Sequence, residues 1–173
     1  MNAPFKAPTA DAPFWDLSDL YASREDEGVA SDLEQARTVV ARLNALQEQL
    51  VAARDDAALL GRRLDQAVSL YEQASDHLGA IGAFAFLSAS TQRDDAAAQG
   101  FEADLREKIT AIATPTVWLT LEINALEEAE IEAALAAERQ ALAFEPMDHR
   151  VLFGTSAEPT IGGIVAGNVS GPR

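Results

Sequence analysis

Apolar residues return at three- and four-residue steps through most of this chain. Val29, Leu33, Ala36, Val40, Leu43, Leu46 and Leu50 form one such series, the spacing that stacks side chains along one face of a single helix. The segment SDLEQ opens it, with Ser31 or Asp32 as the expected N-cap and acidic residues in the first turn, where negative charge suits the helix dipole. Ala53–Ala58, ARDDAA, predicts a short loop. A second helix carries Leu60, Leu64, Ala67, Val68, Tyr71, Ala74, Leu78, Ile81 and Ala85 on one face. After a break at Ser90–Ala96, with Asp94 or Asp95 as cap, a third helix follows. Its stripe is Phe101, Leu105, Ile109, Ile112, Leu119, Ile123 and Leu126. Pro115 lies inside that helix and removes a backbone donor. The helix should kink or split there, at a cost of about 3 kcal/mol unless packing absorbs it. Glu127–Ala137, EEAEIEAALAA, starts a fourth helix with no partner in sight.

Short loops between amphipathic helices make antiparallel neighbours. The fold expected is therefore mainly α: an antiparallel array of three long helices plus an aborted fourth, with a Gly-rich, irregular or poorly ordered C-terminal tail. Residues 1–28, rich in Pro, Asp and Ser, read as an extended segment, 29–137 as the helical domain, and 138–173 as something else. Charge marks the same boundary. The chain's formal net charge is −15. Arg139, Arg150 and Arg173 balance Glu145, Asp148 and Glu158 in residues 139–173, so residues 1–138 carry all of it. That tail also holds five of the ten glycines and three of the seven prolines.

Composition then removes several chemistries. The absence of cysteine excludes disulfides, thiolate catalysis and cysteine-ligated zinc. The first residues, MNAPFKAPTADAPF, lack the basic start and apolar run of a signal peptide. The longest apolar stretch, Leu78–Leu87, is ten residues, too short to cross a bilayer, so a soluble, cytoplasmic protein is expected. The acidic surface would be repelled by nucleic acid and by anionic membranes. Neither is an expected partner. Glu127/Glu128, Asp94/Asp95 and Asp55/Asp56 are adjacent carboxylates. Neighbours on a helix point to different faces, so these pairs read as caps and solvated surface rather than acid–base partners. His77 reads as a half-exposed helix residue and His149, in EPMDHR, as a loop residue.

Phe14–Tyr21, FWDLSDLY, followed by this helical pattern, resembles the N-terminal region of the oligoendopeptidase F family of zinc metallopeptidases. Trp15, Asp16, Leu17, Asp19, Leu20 and Tyr21 carry the motif, and the resemblance spans about residues 13–136. It implies a helical domain capping a deep cleft, so that only unfolded peptides reach the metal. Catalysis in that family needs His-Glu-x-x-His on a helix, which places two imidazoles on one face for zinc with the glutamate as general base. The two histidines here, 77 and 149, belong to no such motif. No catalytic residue and no metal ligand is therefore assigned.

Arg139–Arg173, ending TIGGIVAGNVSGPR, resembles a different family: the flavin-binding domain of FAD-linked oxidases, nearest the FAD-binding subunit of glycolate oxidase. Thr160, Gly162, Gly163, Ala166, Asn168, Ser170 and Gly171 match positions that lie beside the flavin pyrophosphate in that domain. Glycines suit such a place because the backbone can approach and aim its N–H groups at phosphate oxygens. An earlier Gly-rich loop and a supporting sheet are not evident upstream, so FAD should not be held by this chain.

The expected function follows from both resemblances. The chain reads as a truncated composite: a non-catalytic oligoendopeptidase-F-like helical domain, without its zinc site and inactive as it stands, joined to a flavoprotein segment. An FAD-binding oxidase component and a free-standing helical interaction module are the alternatives. No cofactor is expected to be held, zinc and FAD belonging to the intact relatives, and peptides would be partners only in an intact peptidase. An uncovered apolar face is expected to drive self-association.

Overall fold

The computed structural model describes residues 16–139, 144–146 and 170–172. The fold is mainly α, as the periodicity predicts. The helices are α1 (Glu27–Asn44), α2 (Gln47–Ala52), α3 (Ala57–Thr91), α4 (Ala96–Ala113), α5 (Val117–Asn124) and α6 (Glu128–Ala137). α3 is the spine, and α1, α4 and α6 pack against it.

α1 begins earlier than expected. Its N-cap is Asp26, not Ser31 or Asp32. Asp26 lies in extended backbone, and one carboxylate oxygen accepts from Gly28 N–H at 2.8 Å while the other accepts from Ala22 N–H at 2.8 Å. The predicted stripe is buried from Val29 through Leu43. It does not run on as one helix, however. At Leu46 the backbone tightens, with Leu46 N–H donating to the Leu43 carbonyl at 2.9 Å, and α2 then restarts and buries Leu50. Trp118 of α5 holds that corner by donating Nε1–H to Asn44 at 2.8 Å. Arg54 and Glu122 pair beside it at 3.1 Å.

The α3 stripe is wider than the sequence reading gave it. Leu60, Ala67, Ala74, Leu78, Ile81 and Ala85 are buried as predicted, but Leu70 and Phe84 are buried too, while Val68 and Tyr71 are exposed. A single stripe assumes a single neighbour, whereas α3 packs against α1, α4 and α6 and also touches α2.

Asp95 caps α4, accepting from Ala97 N–H at 2.8 Å. Pro115 splits the third predicted helix as expected, into α4, a 3₁₀ turn at Thr114–Thr116, and α5. The pairs Glu102/Arg106 and Asp104/Lys108 both form along α4.

The fourth helix is short, and it has a partner in α3. The α4–α5 rod and α6 meet at 98°, which turns α6 back onto α3, where Ile131 and Ala134 are buried. Glu130 fixes the start of α6 by accepting from Glu127 N–H at 2.7 Å. Gly61 makes the contact possible, because a Cβ there would lie 2.6 Å from the Ala134 carbonyl oxygen. Of the tail, residues 144–146 and 170–172 are described. Phe144–Pro146 (β1) pairs antiparallel with Ser170–Pro172 (β2). Among the described residues no single helix is long and apolar enough to cross a membrane.

Two glycines of α3 separate helix propensity from close approach. Gly→Ala inside a helix ordinarily stabilises by about 0.5–1 kcal/mol. Gly79 has no atom within 4 Å of an added Cβ, so Gly79→Ala should gain that amount in urea denaturation. Gly61→Ala should lose about 1–3 kcal/mol instead, as overpacking forces α6 outward.

Candidate functional site: a tyrosine–aspartate–histidine cluster

Three elements converge on one carboxylate. A turn closed by Leu20 N–H and Tyr21 N–H donating to the Leu17 carbonyl, at 2.9 and 3.2 Å, delivers Tyr21. α1 supplies Asp32 and α3 supplies His77. The Tyr21 hydroxyl donates to Asp32 Oδ2 at 2.7 Å. His77 Nδ1 lies 3.0 Å from Asp32 Oδ1, which also accepts from Gln35 Nε2 at 3.2 Å. Both oxygens of the carboxylate are thereby engaged.

Burial differs around the cluster. Tyr21 is 6% exposed, its ring set edge-on against Phe84 at 5.2 Å between centroids. The His77 and Asp32 side chains keep roughly a quarter of their surface in solvent. Burial first, and then the hydrogen bond to Asp32 with the charge of Asp26 nearby, pushes the Tyr21 phenol well above its ordinary range. Asp26 moves the other way, because N–H groups of Gly28 and Ala22 stabilise its carboxylate. Asp95 is likewise held low, by Ala97 N–H and then by Arg24, whose guanidinium lies 2.9 Å away.

A carboxylate that orients an imidazole is one half of a nucleophilic triad. The other half is a hydroxyl or thiol at Nε2 with oxyanion donors beyond it. Among the described residues no nucleophile bonds Nε2, and no group of three His, Asp or Glu side chains converges as a metal site. The tyrosine sits on the far oxygen of the same carboxylate. What the arrangement does is hold the N-terminal segment, α1 and α3 together at one point.

Thr160, Gly162, Gly163, Ala166, Asn168 and His149 lie outside the described residues. Ser170 and Gly171 fall in β2, opposite Pro146 and Glu145. Of the paired carboxylates, Asp56, Asp95 and Glu127 each stand at a helix N-cap. The cluster itself was not foreseen, since Asp32 was expected as a cap and His77 as an isolated half-exposed residue. The signal was faint: Asp32 precedes Leu33 and His77 precedes Leu78, so both border a buried position on their helices.

Tyr21→Phe should cost about 1.5–3 kcal/mol near neutral pH, the range for a hydrogen bond to a charged acceptor. The pH dependence has a definite sign. The unfolded phenol ionises near pH 10, and the folded one only at higher pH. Above about pH 10 the folded state therefore binds more protons, and stability falls as pH rises. The contribution is fully present below about pH 10, so the gap between wild type and Tyr21→Phe should narrow above it in urea titrations. No protein family, curated protein sequence or solved structure matches this chain.

Proposed function

We propose that the helical region is a non-catalytic domain of the oligoendopeptidase F type, which limits access to a peptide-cleaving cleft supplied elsewhere, and that these 173 residues cleave nothing themselves. One observation supports this most. The residues of the FWDLSDLY motif that lie in the described part belong to the helical array. Asp16 accepts from Ser18 N–H at 2.9 Å to shape the turn, Leu17 packs on the core, and Tyr21 is buried against Phe84. Motif and helices thus form one packed unit, the combination on which the resemblance rests.

The zinc chemistry of an intact relative has no home in these residues. The chain contains no His-Glu-x-x-His. For residues 139–173 we propose kinship with the flavin-binding segment of FAD-linked oxidases, on sequence alone, with no flavin retained. A cytoplasmic setting accords with the absence of cysteine.

The purified chain with added zinc should leave a fluorescence-quenched peptide intact over hours, and should show no flavin absorbance after purification. Mixing it with an oligoendopeptidase F fragment stripped of its own N-terminal helices should raise that fragment's preference for unfolded over folded substrates. Zinc-dependent cleavage by the chain alone would overturn the proposal, as would an unchanged preference in the mixture.

A further inference from the structure

We draw no further inference here: the strongest candidate, the open hollow between α3 and α4 at Gly82, Ala85, Ile109 and Thr110, has its charged wall already paired within the chain as Glu102 and Arg106, and nothing in the structure shows what covers it.

Discussion

The structure depends on α3 being buried from three directions at once. A helix of 35 residues exposes far more surface than one amphipathic neighbour can cover, and here α1, α4 and α6 each take a strip of it. Small residues set how closely they come. Ala67, Ala74 and Ala85 are buried along the spine, and Gly61 lets a carbonyl of α6 approach to where a methyl group would sit. Larger side chains fill between these approaches: Leu43, Leu50, Leu60, Ile81 and Leu105 are the largest fully buried, each contributing about 1.5–3 kcal/mol relative to exposure. An alanine-rich chain with 6% aromatic residues can form such a core because its helices lie close rather than because its side chains are large.

The acidic character has a structural use within this array. Asp26, Asp56 and Asp95 each accept a backbone N–H at a helix start, and Glu130 does so for α6. Those donors have no partner inside the helix, and a carboxylate satisfies them while favouring the positive end of the dipole. Asp32 works differently. It lies within α1 and accepts from a tyrosine and a glutamine beside a histidine of another helix. The same residue type thus closes helices in some places and joins them in another.

Much of this was legible in the sequence because helical periodicity reports burial directly. The break at Pro115, a cap at Asp94 or Asp95, and the stripe from Val29 to Leu43 were read from spacing and turn chemistry alone. What failed shares one cause. The width of the α3 stripe, the docking of α6 and the convergence on Asp32 all depend on which neighbours a residue meets, and local spacing carries no such information. Gly61 shows the limit well: in sequence it is a poor helix former, and in the structure it is the reason α6 has a place to lie. The early start of α1 has a more local cause, since Asp26 was available as a cap five residues before Ser31 and leaves Asp32 free for Tyr21.

The aromatic and polar contacts of Tyr21 are best understood together. Its ring meets Phe84 edge-on, and Phe84 meets Phe101 in the same manner at 6.2 Å, so a line of rings runs from the N-terminal segment through α3 to α4. Such contacts tolerate sliding, because an apolar surface accepts a ring in several positions. The hydroxyl removes that freedom. A buried donor left without an acceptor costs about 1–3 kcal/mol, so only the register that brings Tyr21 onto Asp32 escapes the penalty. His77 extends the constraint to α3, since Asp32 is fixed on one side by the tyrosine and on the other by the imidazole. Apolar burial thereby supplies the attraction between segment and spine, and the hydrogen bonds select the one alignment in which it is realised. In FWDLSDLY, Tyr21 is then a residue of alignment, and Leu17, half-buried against the core, is one of adhesion.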